Sequence, residues 1–154
     1  MVRKIAIVVL IAALAAGGFA FYQHHATEQR DAAVRQATAA ATAAAQAIFS
    51  YDYRSFDSSV ANGRSFATGD FADEYAKTTA ALKTNAVKEQ AVVRAAVSAT
   101  GVISSSTDKV ELLLYLNQYR RNTNVTGEKV DQNRVVLTML HVDGAWKVAQ
   151  ATAI

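Results

Sequence analysis

The sequence of 154 residues contains no cysteine and no proline, and the missing cysteines exclude several classes of protein. Without them there are no disulfide bonds, no thiolate zinc or iron–sulfur sites, no cysteine nucleophile and no lipidated cysteine behind a signal sequence. Glycine is sparse, with seven residues, while 51% of the chain is hydrophobic and 19% is charged. This composition excludes intrinsic disorder, so the stability of the chain depends on a packed apolar core.

Beyond the first four residues, the chain has almost no excess of positive charge. The formal net charge is +3, and without Arg3 and Lys4 the chain holds 14 basic against 13 acidic side chains. A nearly neutral domain without a dense stripe of lysine or arginine attracts the phosphates of nucleic acids weakly. We therefore expect no nucleic-acid partner.

An uncharged, largely apolar stretch of 18 residues runs from Ile5 to Tyr22. At about 1.5 Å of rise per residue, a helix of this length covers roughly 27 Å, close to the thickness of a bilayer core. Arg3 and Lys4 precede it, and positive charge favours the cytoplasmic side. The sequence predicts a cytoplasmic tail at residues 1–4, a single-pass anchor in the cytoplasmic membrane at residues 5–22, and an extracytoplasmic C-terminal domain.

A cleaved signal peptide is the alternative for the same stretch. Ala13-Leu14-Ala15 and Gly18-Phe19-Ala20 both have the small-x-small pattern of a cleavage site. Phe21 and Tyr22 extend the apolar run with aromatic side chains that suit a membrane interface, and the helical pattern continues without a break. These features favour an anchor that is retained.

Three helices are predicted after the anchor. Residues 23–49 form a long alanine-rich helix that leads into the domain, because they contain no glycine and alanine is the best helix former. Apolar residues recur in this tract at three- and four-residue spacing, as on one face of a helix. Two shorter helices follow, from Phe56 to Phe66 and from Asp70 to about Leu82.

The period changes after Glu89 from helical to alternating, which predicts four strands. The first contains Ala91 to Ile103, the second Val110 to Arg121, and the third Arg134 to Val142. Asp143-Gly144 then favours a two-residue hairpin turn into a fourth strand. Helices followed by an antiparallel meander predict an α+β fold for residues 50–154, with the helices packed on a four-stranded antiparallel sheet.

Motifs that carry catalysis are missing from the sequence, which has no phosphate-binding loop, no G-x-S-x-G and no H-E-x-x-H. His24 and His25 are adjacent on a helix and point about 100° apart, so they suit no common metal ion. His141 lies beside the predicted hairpin turn. Five acidic residues near aromatic ones are more simply explained as helix caps: Asp52, Asp57, Asp70, Asp73 and Glu74. We expect no enzyme activity, no cofactor and no metal site.

Four cations gather near one end of a predicted hairpin: Arg120, Arg121, Lys129 and Arg134. In the simplest interpretation they are solvated residues at strand ends. In the functional interpretation they form a docking patch for an acidic protein surface or for lipid headgroups.

An ordered series of short motifs resembles the Mce-associated membrane proteins of actinobacteria. After the short tail, the anchor and the alanine-rich helix, the series contains Ser50-Tyr51-Asp52-Tyr53, Thr68-Gly69-Asp70-Phe71 with Tyr75, Gly101-Val102, Asn117-Gln118 and Val142-Asp143-Gly144-x-Trp146. The motifs are short, and their order along essentially the whole chain carries the resemblance.

The resemblance implies a nuclear-transport-factor-2-like, SnoaL-like cone in which helices pack on a curved sheet. It also implies a non-enzymatic accessory or scaffold protein that stabilises an Mce (mammalian cell entry) lipid or sterol transport system of the cell envelope, with transporter subunits or other envelope proteins as partners. The same architecture resembles the scaffold subunit of type IV secretion and conjugation machines, which is the alternative. A small-molecule isomerase or dehydratase, or a lipid-binding domain, is a third hypothesis, because enzymes share the fold.

Overall fold

The computed structural model describes the backbone from Val2 to Ile154 and the side chains of His24, His25 and residues 27–154. The chain divides into two units, residues 1–32 and residues 33–154. The predicted anchor at residues 5–22 lies outside the residues whose side chains are described. Within the described part of the chain, no helix combines the length and the apolar character needed to cross a membrane.

Three α-helices come first along the chain. They are α1 (Val2–Ile48), α2 (Phe56–Ser65) and α3 (Gly69–Lys88), and a short 3-10 turn at Tyr53–Ser55 precedes α2. The alanine-rich tract is helical as predicted. Helix α3 continues six residues beyond the predicted end at Leu82, because its last turns still bury an apolar side chain, that of Ala86.

Five strands form one antiparallel sheet in the order in which they occur along the chain. They are β1 (Tyr51–Asp52), β2 (Val92–Ser105), β3 (Lys109–Arg121), β4 (Lys129–Val142) and β5 (Ala145–Ala153). The predicted sheet has four strands, and the fifth is the two-residue β1, which is too short to give an alternating pattern. Strand β4 begins at Lys129 rather than at Arg134, because its polar first residues pair with the end of β3.

The core lies between the helices and one face of the sheet. Alternate residues of β3 are fully or almost fully buried on this face, namely Val110, Leu112, Leu114 and Leu116. They share one apolar cluster with side chains of β4 and β5 and with alanines of α1. The small side chains of Ala37, Ala41 and Ala44, none of which is exposed, let α1 approach the sheet closely.

The opposite face of the sheet is uncovered within the described residues. The tract from Leu112 to Leu116 is apolar at every position, and the structure buries only its even-numbered side chains fully. Leu113 is half-buried and Tyr115 is 44% exposed on the other face. The sheet thus has one core face and one open face, as antiparallel sheets commonly do.

Strand β2 forms one edge of the sheet. Strand β1 pairs only with its first two residues, Val92 and Val93. On its other side β2 pairs with β3, and the pairing shifts register twice, between Val97 and Ala99 and between Val102 and Ser104.

Candidate functional site

A cavity of about 370 Å³ lies between the end of α1, helices α2 and α3, and the core face of the sheet. Most of its wall is apolar and comes from Ile48, Phe49, Tyr51, Phe56, Val60, Phe71, Leu82, Val135, Ala151 and Ala153. Helical spacing explains the contribution of α3, because its lining residues recur every three or four positions on one face: Phe71, Tyr75, Thr79 and Leu82. Ligand pockets in proteins have volumes of about 300–1,000 Å³, so this cavity is small for a binding site but large enough for one.

Two hydroxyl groups in the cavity wall are already hydrogen-bonded within the protein. The hydroxyl of Ser50 accepts a bond of 2.8 Å from the backbone N–H of Ala95, and the hydroxyl of Thr79 donates one of 2.7 Å to the carbonyl of Tyr75. Internal partners leave these groups little capacity to bind a ligand.

The amide of Gln118, at the sheet side of the cavity, is also engaged at both ends. Its Nε2 donates to the carbonyl oxygen of Phe49 at 3.3 Å, and its Oε1 accepts a bond of 2.7 Å from Asn133. Among the described residues that line the cavity there is no lysine, arginine or histidine, and the one carboxylate, that of Glu74, is exposed. The cavity is therefore close to uncharged.

Two tyrosines of the wall hold their protons more tightly than a free phenol. Burial raises the pKa of Tyr75 above its ordinary value. The pKa of Tyr51 is also raised, chiefly by burial; the charge of Arg120 opposes the shift and the charge of Glu89 adds to it. Both phenols are neutral near pH 7, so neither supplies a base.

Helix α2 leaves space for the hydroxyl of Tyr75 at Gly63. The hydroxyl lies so close to this glycine that a Cβ there would overlap it, and it donates a long bond of 3.5 Å to the carbonyl of Ile48.

The acidic residues singled out in the sequence do not form a cluster around a reactive centre. Asp52 accepts a hydrogen bond of 2.9 Å from the backbone N–H two residues further on and so caps the short 3-10 turn. Asp57 forms an exposed ion pair of 2.7 Å with Lys83, and Asp70 and Asp73 are exposed near the start of α3. These are structural roles at helix starts and on the surface.

The three histidines lie on the surface. The rings of His24 and His25 come within 3.3 Å and 3.9 Å of the carboxylate of Glu28. His141 is exposed, and the centre of its ring lies 5.2 Å from the centre of the Trp146 ring. No group of three or more histidine, aspartate or glutamate side chains suited to a metal ion occurs in the described part of the chain.

Three of the four predicted docking cations have nearby carboxylate partners. Arg120 and Lys129 share Asp131, at 3.1 Å and 3.9 Å. Arg121 lies 3.1 Å from a carboxylate oxygen of Glu128. The β3–β4 hairpin therefore neutralises much of the positive charge that the sequence gathers there.

Arg134, the fourth cation, lies apart from Arg120 and Lys129 on the open face of the sheet. It stands directly opposite Tyr115 in the β3–β4 pairing, and directly opposite residues share a face. Its side chain is exposed and makes no ion pair with any described residue. The structure brings Arg120 and Lys129 together but separates Arg134 from them.

We define the outer sheet face as Arg94, Tyr115, Tyr119, Val130 and Arg134, which lie on the open side of β2, β3 and β4. The guanidinium of Arg94 lies 4.4 Å from the ring centre of Tyr119, while Tyr115 is 44% and Val130 49% exposed. Sequence reasoning missed the two tyrosines and Arg94. The tract in β3 that is apolar on both faces indicates that the open face of this strand carries apolar side chains. Only the strand register shows that Arg94 and Arg134 lie beside its tyrosines.

The family described as "Uncharacterized protein Rv1363c/MT1408-like" matches residues 1–153. The chain belongs to this family. A relative, the protein Rv1362c of Mycobacterium tuberculosis, is 28% identical over 155 residues, which cover 96% of this chain and 68% of that protein.

Two solved structures share the fold at low sequence identity. An IcmL-like type IV secretion system protein from Legionella pneumophila gives a TM-score of 0.62 at 17% identity, over 75% of this chain and 89% of that one. CagV, a VirB8 homologue of the type IV secretion system of Helicobacter pylori, gives 0.61 at 11% identity, over 75% and 93%. At these identities the likeness shows the fold, which is an α+β domain of helices packed on a five-stranded antiparallel sheet.

Proposed function

We propose that this protein is a non-enzymatic scaffold that works by binding other proteins of an envelope complex. The observation that carries the proposal is the outer sheet face, which places two tyrosines, a valine and two arginines together without a covering element in the described structure. Tyrosine and arginine are enriched where protein interfaces gain most of their binding energy.

The charge of this face suggests the chemistry of the partner. Arg94 and Arg134 are exposed guanidinium groups, and none of the five residues of the face carries a carboxylate. The contact of Arg94 with the ring of Tyr119 holds both side chains in place, so less freedom is lost on binding. An acidic protein surface with apolar side chains at its centre fits this face best.

The scaffold proposal extends to two kinds of envelope machine. The fold shared with secretion-system proteins of Legionella and Helicobacter supports a subunit of a type IV secretion or conjugation-like machine. The resemblance of the sequence motifs to Mce-associated proteins supports the second candidate, an accessory subunit of an Mce lipid transport system. Both candidates place the C-terminal domain outside the cytoplasm behind an anchor at residues 5–22.

Absence of catalysis is part of the proposal, and the chemistry of the cavity supports it. General acid–base catalysis needs a titratable group held in a desolvated cleft at a suitable pKa. Here the two phenols are neutral and Glu74 is exposed. The isomerase or dehydratase hypothesis therefore has less support than the scaffold proposal.

The experiment is capture of the full chain with its partners from native membranes after chemical cross-linking, followed by mass spectrometry. The wild type is compared with a double variant that combines Tyr115→Ala and Arg134→Glu. The control is Lys77→Glu, which reverses a charge at an exposed position of α3, away from the outer sheet face. We expect the double variant to lose most of the captured partner and Lys77→Glu to retain it, while circular dichroism shows both variants folded.

The identity of the captured protein separates the two machines. Subunits of a secretion or conjugation machine support the first candidate, and Mce transporter subunits support the second. Equal capture by the wild type and the double variant contradicts the outer sheet face as the binding surface.

A further inference from the structure

The cavity beneath α3 is not used by the proposed scaffold function, because the outer sheet face lies on the other side of the sheet. Its wall is built from the side chains of three helices and of the core face, so it belongs to the folded unit of residues 33–154. An ordered water in a cavity needs two to four polar partners, and a cavity walled by apolar groups stays dry and accepts apolar ligands. The geometry therefore favours an apolar occupant over water.

The internal hydrogen bonds of the polar groups in the wall restrict which ligands the cavity can bind. Three polar groups of the wall, those of Ser50, Thr79 and Gln118, each already have an internal partner at 3.3 Å or less. A ligand with several hydroxyl or amide groups would lose its bonds to water on entry and gain few replacements from these three groups. The wall therefore selects against polar ligands such as sugars and nucleosides.

The charges of the lining residues further restrict which ligands the cavity can hold. The lining offers no cation to an anionic headgroup, and Glu74, the carboxylate among the lining residues, repels anions. Burial of an unpaired charge is strongly unfavourable, so a carboxylate or phosphate cannot lie within the wall. We propose that this cavity binds an uncharged alkyl chain, which enters as a neutral molecule or as the tail of a lipid whose headgroup stays outside.

Photolabelling of the full chain in lipid nanodiscs tests the proposal. The probes are diazirine-bearing dodecanol, the matching dodecanoate at neutral pH, and a phosphatidylcholine with the diazirine in one acyl chain. We expect dodecanol to label cavity residues such as Phe71, Leu82 or Val135. Dodecanoate labels them only when its carboxylate stays outside, so a lower yield for dodecanoate means that the head of the ligand enters the wall. Labelling of the same residues by the phospholipid identifies a lipid tail as the source of the chain, and labelling by dodecanol alone identifies a free neutral molecule.

Two neighbouring positions on β5 provide a filling variant and its control. Ala151 is in the cavity wall, opposite Leu137, whereas Thr152 is exposed on the other face. Ala151→Phe should abolish labelling at the cavity, and Thr152→Phe should leave it unchanged. If Ala151→Phe fails to fold, Val60→Phe fills the cavity from α2 instead.

Two results overturn the proposal. They are labelling of the cavity that survives in both folded filling variants, and dodecanol labels that map only outside the cavity. Neither of these depends on the outer sheet face, so the scaffold proposal and the ligand proposal can fail separately.

Discussion

Gln90 has a backbone conformation that a residue with a side chain adopts at a cost. Its φ is +51°, in the left-handed region, and it follows the end of α3. The N–H of Ala91 donates to the carbonyl of Ala86 at 2.8 Å and the N–H of Gln90 donates to that of Val87 at 3.2 Å. This pair of bonds is the helix-ending pattern in which glycine is the preferred left-handed residue.

We predict that Gln90→Gly stabilises the protein, because glycine adopts a positive φ without the clash of a Cβ. The expected gain is about 0.5–1 kcal/mol in the free energy of unfolding, measured by urea denaturation. Ala39→Gly, at an exposed position in the interior of α1, is the control, and it should instead lose about 1 kcal/mol. A loss of stability in the Gln90 variant contradicts the assigned helix end.

Tyr75 should make the protein less stable as the pH becomes alkaline. Its pKa is raised by burial in the folded state, so the folded chain holds this proton more tightly than the unfolded chain does. The stabilising contribution is complete below the ordinary tyrosine pKa and is lost as pH rises through the higher folded value. We predict that the free energy of unfolding falls between pH 9 and pH 11, roughly the range around the ordinary tyrosine pKa, and falls less steeply in Tyr75→Phe. Equal slopes in both proteins would exclude Tyr75 as the source.

At the scale of elements, the β4–β5 hairpin is the one most fully specified by its sequence. Asp143 and Gly144 have φ values of +50° and +78°, as the predicted two-residue turn requires. The turn leads directly to Trp146, which is 8% exposed and whose indole N–H donates to Gln36 of α1 at 3.4 Å. Trp146 therefore lies in the core between the sheet and α1.

Truncation of this side chain should be costly. We predict that Trp146→Ala lowers the free energy of unfolding by about 3–5 kcal/mol, because it removes a large buried apolar surface and leaves a cavity. His141→Ala, next to it but exposed, should change stability by less than about 1 kcal/mol. Urea denaturation of both variants measures the difference, and similar small losses would place Trp146 outside the core.

The elements that the sequence predicted are those whose own residues carry the signal. Alternation of apolar residues fixed the long strands, and the alanine-rich composition fixed the second half of α1 as helix. Strand β1 and the first residues of β4 were missed, because two residues give no period and residues 129–133 are mostly polar. Their pairing depends on neighbouring strands rather than on their own composition.

The same distinction separates the predicted docking patch from the outer sheet face that we propose as the binding surface. The sequence groups four cations by proximity: Arg120, Arg121, Lys129 and Arg134. The partner that Arg120 finds in Asp131 depends on how β3 and β4 pair, and Arg121 meets Glu128 across the loop between them. Arg134 and Tyr115 are far apart in sequence and become neighbours only through the register. A surface assembled across strands leaves no local pattern in the sequence.

For the whole molecule, the topology proposed for residues 1–22 gives a direct prediction. Alkaline phosphatase fused after Ile154 should be active, and green fluorescent protein fused there should stay dark after export in an unfolded state, because Arg3 and Lys4 keep the short tail in the cytoplasm. Mass spectrometry of the purified protein should find peptides from before Tyr22. A chain that begins near Ala16 or Phe21 would show instead that the first segment is removed.

The register shifts in the edge strand β2 also affect the tendency of copies of the protein to aggregate. From Ala95 to Thr107 the chain carries no charge and no proline, the two features that most often discourage one sheet from adding to the next. The two register shifts leave Ala99–Val102 as the regular stretch between them, shorter than the five or six residues typical of a strand. Fibre growth needs a long regular edge, and the two register shifts leave β2 without one, so the irregular backbone disfavours sheet-to-sheet addition where the side chains do not.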